Sequence, residues 1–240
     1  MTTSKKDQVF DALKQRVLTL DLRPGAALDE ITLAAHYGIS RTPLREVLQR
    51  LAGEGYITLE TNRGAAASPM DLTTMRSFFQ SAPMIYAAIA RLATEQATSS
   101  QITKLKSIQR QFQQAVSSNN VNNRVLHNHR FHELIGDMAA SVYLSPSLGR
   151  LLIDHTRMSY RFYSAAHASS QQRVLEACEQ HEQMIDAIEQ REAAKAVDLT
   201  LQHWALSRSE MEKYVNPEPL PFNTTESGTV KNLTSEMEMG

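Results

Sequence analysis

The chain has 240 residues, 42% hydrophobic and 21% charged, with a formal net charge of −1. That length holds one large domain or two modest ones, and the apolar share excludes wholesale disorder. Balanced charge gives no whole-chain pull toward nucleic acid or membrane, the longest charge-free apolar-leaning stretch (Ser77 to Ala90) is too short and too polar to span a bilayer, and a lone Cys178 excludes a disulfide framework or a cysteine zinc ribbon.

The N-terminus, MTTSKKDQVFDALKQ, lacks the apolar core of a signal peptide, so a cytoplasmic setting without a membrane partner is expected. Phe10, Leu13, Val17 and Leu20 recur at helical spacing. Arg23-Pro24-Gly25 breaks the chain, because proline fixes φ and glycine permits the turn. Asp29 caps a second helix with Leu33, Ala34 and Tyr37 inward, and Gly38 ends it. Ser40 caps a third helix that tolerates Pro43 in its first turn and runs to Gly53–Gly55. Tyr56–Glu60 reads as a strand, Thr61–Gly64 as a turn, and Ala65–Ser68 as a returning strand whose three alanines have weak β preference.

From Asp71 the strand signals vanish. Amphipathic helices are expected near 71–97, 100–118, 121–140, 146–167, 170–190 and 192–215, followed from Asn216 by a Pro-, Ser-, Thr- and Glu-rich segment that reads as a disordered tail. The expected fold is therefore mainly α. It comprises a winged helix-turn-helix domain over 1–70, an all-α bundle over 71–215 and a tail over 216–240.

The third helix is two-faced. At about 100° per residue, Leu44, Val47, Leu48 and Leu51 fall on one side, with Arg41, Thr42, Arg45 and Gln49 opposite. Two guanidiniums, a hydroxyl and an amide are groups that bind phosphates and base edges in a major groove. With the preceding helix and a following hairpin tipped by Arg63, the order of elements is that of a winged helix. The pieces Arg23-Pro24-Gly25, Leu33-Ala34, Gly38 through Glu46, Leu48 through Leu51, Glu54-Gly55 and Arg63-Gly64 closely resemble the DNA-binding domain of the GntR family of bacterial transcription regulators. The resemblance implies that Arg41, Thr42 and Arg45 contact DNA and that Arg63 and Gly64 lie in the minor-groove wing. It departs where the family has a large apolar residue and this chain has Ala66 or Ala67.

The second half holds all the histidines but one. Asn128 and His132 are one helical turn apart, while His181 and His203 lie on the fifth and sixth helices of this half, so a bundle can bring them together. Asn128-x-x-Phe131-His132 and the stretch from Glu179 to Trp204 resemble the FCD effector domain of the FadR-type branch, and six helices suit its VanR-like subgroup. The resemblance implies a divalent site at Asn128, His132, His181 and His203, with asparagine where the branch has aspartate. Three imidazoles and a neutral carbonyl suit Zn²⁺ or Ni²⁺ better than Mg²⁺, but the missing anionic ligand weakens binding. Ala82 and Tyr86 replace the Arg and Glu common on the first helix of this branch. Arg157 or Arg161 is then the expected cation toward an acidic effector, and Tyr86 points to a more aromatic pocket.

Three readings follow. The first is a regulator that binds a palindromic DNA operator as a homodimer, most simply a repressor, and answers a small organic acid or aromatic metabolite. The second is a dimeric DNA-binding protein whose helical half is structural only. The third is a metal-dependent hydrolase, against which neither His132-Glu133 nor His181-Glu182 continues into a metalloprotease motif.

Overall fold

The computed structural model describes residues 4–60, 64–164 and 168–212. Helix α1 (Lys5–Leu18) is capped by Ser4, whose side chain accepts from Asp7 N, and buries Val9, Phe10, Leu13 and Val17. Asp29 accepts from Thr32 N at 2.7 Å and starts α2 (Glu30–Tyr37); Gly38, at φ 60°, ends it. Helix α3 (Arg41–Glu54) begins at Ser40, which has the extended backbone of a cap but makes no side-chain cap bond, and it ends at Gly55. Gly55 is required twice over. Its φ is +88°, and a Cβ there would come within 2.7 Å of Arg150 Cδ.

Strands β1 (Ala27–Leu28), β2 (Ile57–Glu60) and β3 (Gly64–Ala67) form an antiparallel sheet in the order β1-β3-β2. β1 is an addition to the sequence reading, because two residues are too few to show a period. It forms by pairing Ala27 with Ala66 and Leu28 with Ala65. The poor β preference of the alanines is overridden by position: β3 is the central strand, hydrogen-bonded on both edges, with Ala65 and Ala67 buried.

The second half consists of α4 (Leu72–Gln96), α5 (Ser99–Ser117), α6 (Val121–Met138), α7 (Leu144–Ser164), α8 (Ala168–Glu189) and α9 (Ala193–Glu212). Side-chain caps at Asp71, Thr98 and Asn120 start the first three of these, and Thr98 with Gln101 forms a capping box. Phe78, Ile89, Leu105, Phe131, Leu152, Met184 and Ile188 belong to their shared core. Among the described residues, no helix is long and apolar enough to cross a membrane.

The two halves meet across α6 and α7. Ile153 of α7 is fully buried in the core formed by α1, α3 and the sheet. Around it, Lys14 pairs with Glu133 at 2.9 Å, Arg150 donates to Gly55 O at 3.1 Å, and Arg157 donates to Ser68 O at 2.6 Å.

Candidate functional site

Arg41, Thr42, Arg45 and Gln49 are all exposed on α3, while Leu44, Val47, Leu48 and Leu51 are buried beneath them. Glu30, on the first turn of α2, receives Arg45 Nε at 2.9 Å and lies 3.4 Å from Arg41. The hydrogen bond from Arg45 holds the Glu30 carboxyl below the usual carboxylate range. One carboxylate thus holds both guanidiniums on the exposed face of α3. Gly64 opens β3 at φ +80°. Arg63 lies outside the described residues, so the hairpin tip is known only from its flanks.

The helical half encloses a second constellation. Each of His132, His181 and His203 offers one ring nitrogen, and these nitrogens lie within 4.8 Å of one another in the buried interior. His181 Nε2 and His203 Nε2 are 3.3 Å apart. Two nitrogens bound to one tetrahedral zinc at about 2.0–2.1 Å would be separated by roughly 3.3–3.4 Å. Asn128 is 3% exposed, and its Oδ1, like His132 Nε2, has no hydrogen-bond partner among the described residues. Buried polar atoms left unsatisfied in this way cost stability unless something fills the gap. Phe131 stacks on His181 with ring centroids 3.9 Å apart, and Phe112 flanks the same ring.

Electrostatics favour neutral ligands. Burial pulls His203 down to about 4 and holds His132 and His181 well below the ordinary imidazole value, with the neighbouring histidines adding to the effect on both. Unprotonated imidazole is the form that binds a metal. The described donor set, three converging imidazoles, therefore fits a late first-row dication and is a poor match for Mg²⁺.

Two further residues, Tyr86 and His155, pack against the histidines. The Tyr86 hydroxyl lies 2.5 Å from His155 Nδ1, and the Tyr86 ring lies beside His132 and Trp204. Burial pushes the Tyr86 phenol up and pulls His155 down to about 3. Tyr86, expected at the pocket, is thus brought to the histidines. Arg157 is not. Its fully buried guanidinium is engaged by Asp154 and the Ser68 carbonyl at the joint between the halves, which corrects its assignment as an anchor for an acidic effector. The Arg161 side chain lies outside the described residues.

Sequence reasoning passed over His155, Gln109, Gln180 and Trp204. Gln109 is fully buried and sits at helical spacing between Leu105 and Phe112. A polar residue inside an apolar stripe was the signal that could have found it.

Residues 83–206 match the FCD domain, and residues 5–66 match the bacterial regulatory proteins of the gntR family. The chain belongs to the GntR family and carries an FCD domain. It is 37% identical over 84 residues to the Nta operon transcriptional regulator of Aminobacter aminovorans, a match covering 35% of this chain and only 40% of that one. Against the HTH-type transcriptional repressor RspR of Escherichia coli K12, identity is 24% over 204 residues, covering 84% of this chain and 86% of the relative. The fold is also that of E. coli McbR/YncC, with a TM-score of 0.74 at 18% identity over 90% of this chain and 100% of the other. The family is one of bacterial regulatory proteins, and the two curated relatives are named a transcriptional regulator and a transcriptional repressor, which favours the regulator reading over the hydrolase. This GntR-family chain is a transcription regulator.

Proposed function

We propose that this regulator is a metabolite-responsive repressor that binds a palindromic operator as a homodimer in the cytoplasm. Residues 1–70 form its DNA-binding domain, 71–215 its effector and dimerisation domain, and 216–240, outside the described residues, a tail. Arg41, Thr42, Arg45 and Gln49 read the major groove, while Arg63 and Gly64 follow the minor groove. A two-fold operator suits a symmetric dimer, because each protomer reads one half-site.

In this reading, Asn128, His132, His181 and His203 hold Zn²⁺ or Ni²⁺. Once bound, the ion supplies Lewis acidity and positive charge for an anionic donor of the effector. The chain's own residues provide the rest. Four neutral ligands leave the charge of a dication uncompensated, Tyr86 and Trp204 wall one side, and the one described candidate cation, Arg157, is spent elsewhere. This favours a small organic acid, and an aromatic metabolite would require Tyr86 to turn away from His155. Arg161 remains a candidate to meet the acid from α7.

The observation that carries the proposal is the convergence of three buried histidine nitrogens, with the buried, unsatisfied Asn128 oxygen one helical turn before His132 on α6. Its test is fluorescence anisotropy on DNA flanking the regulator's own gene, with and without Zn²⁺, together with thermal unfolding against a panel of organic acids. A ligand of the native state raises the melting temperature and, as inducer, lowers DNA affinity. DNA binding that no acid and no metal alters would instead favour a purely structural helical domain.

A further inference from the structure

We propose that Gln109 and Gln180 are positioning residues for the histidine centre, fixing His181 and His203 as Nδ1–H tautomers so that both Nε2 lone pairs face one point. The inference deepens the metal-binding reading and rests on it. His181 Nδ1 lies 3.0 Å from Gln109 Oε1, and His203 Nδ1 lies 3.0 Å from Gln180 Oε1. A carboxamide oxygen only accepts, so the ring nitrogen facing it carries the proton.

The orientation of each amide is set at its other end. Gln109 Nε2 donates to the Cys178 carbonyl at 3.0 Å, and Gln180 Nε2 donates to a Glu176 carboxylate oxygen at 3.3 Å. A carbonyl and a carboxylate oxygen accept and do not donate, so neither amide can turn over without losing its bond. Both Nδ1 atoms are thereby protonated. A neutral imidazole has a single N–H, which leaves both Nε2 atoms bare and 3.3 Å apart.

That separation gives the glutamines their role. Without them, one ring could take the Nε2–H form and donate to the other, a self-satisfied pair that would close the site to an ion. With them, two lone pairs face each other and repel, and a cation resolves the repulsion. The amides do this without adding charge, so the centre stays free of carboxylate at Asn128, Gln109 and Gln180 alike. The residues that orient metal-bound imidazoles typically change metal affinity by about 10–100-fold when removed.

The test uses the full-length protein labelled with ¹⁵N-histidine. Long-range ¹H–¹⁵N spectra of the metal-free protein report the tautomer of each ring, and titration with ZnCl₂ or NiCl₂ reports affinity. The parent should show Nδ1–H on His181 and His203. Gln109→Leu should release His181, Gln180→Leu should release His203, and each should lose about ten- to a hundred-fold in metal affinity. Gln109→Glu and Gln180→Glu keep an acceptor and should keep the tautomer. An Nε2–H signal on either ring of the parent overturns the proposal, as does a folded Leu variant that binds metal like the parent. A parent that shows both Nδ1–H forms yet binds neither metal upholds the tautomer lock and overturns the metal reading.

Discussion

Arg41 and Arg45 reach the same carboxylate, Glu30, from successive turns of α3. Both are more than half exposed, so these pairs add little stability and leave the arginines free to exchange partners. Arg41→Ala or Arg45→Ala should therefore leave the melting temperature nearly unchanged and weaken operator binding by about 1–3 kcal/mol each where the contact is bidentate to a base. Anisotropy at matched salt measures this, and a folded double variant that binds like the parent would remove α3 from the recognition surface. The histidines set a different behaviour. In the unfolded chain they titrate near 6.5, whereas burial pulls His203 to about 4 and His155 to about 3 in the folded protein. Above 6.5 both states are neutral and stability does not depend on these groups. Below it the unfolded chain binds protons that the folded one refuses, so stability falls as pH drops from 6.5 toward 4. The metal-free protein should lose melting temperature across that interval, and His155→Gln should flatten the slope. Parallel slopes for parent and variant would show that His155 is not held neutral.

Among the elements, α7 does two things at once. Its Ile153 enters the core of the DNA-binding half and its Arg157 bonds the Ser68 carbonyl, while His155, between them in sequence, reaches Tyr86 next to His132. A rearrangement at Tyr86 therefore acts on a helix already fastened to the other half. Arg157→Met removes that fastening and leaves Asp154 buried beside only the more distant Arg150, which lies 4.0 Å away. Breaking a buried pair in this way costs roughly 3–5 kcal/mol, to be read by urea unfolding. A loss under about 1 kcal/mol would mean that the joint relaxes around the gap. Gly55 ends α3 against the same helix, and Gly55→Ala should cost at least about 1 kcal/mol from its positive φ, with Arg150 forced aside. No loss would show that the Arg150 contact does not constrain this turn.

At the scale of the whole molecule, what the sequence disclosed follows the range of the forces involved. Apolar periodicity and caps are local, so the order of helices and the two faces of α3 were readable, down to Asp29 and Gly38 as start and stop. Contacts between distant residues were not. β1 exists through pairing with β3 nearly forty residues later, and Arg157 looked like a free cation because Ser68, its partner, lies in the other half. Helical spacing allows the histidine trio to converge in a bundle without requiring it, and the family resemblance is what singles these three histidines out. The Gln109 and Gln180 contacts needed coordinates, because which atom faces which nitrogen is a matter of rotamers.

The central claim is that the FCD half of this regulator holds a metal through Asn128, His132, His181 and His203, and titration calorimetry tests it most directly. Zn²⁺ and Ni²⁺ are added to the parent, Asn128→Asp and His181→Ala proteins. One ion per chain is expected in the parent, tighter binding in Asn128→Asp because a carboxylate supplies the missing negative charge, and marked weakening in His181→Ala. Three identical isotherms, or no heat of binding from any of the three, would contradict the claim.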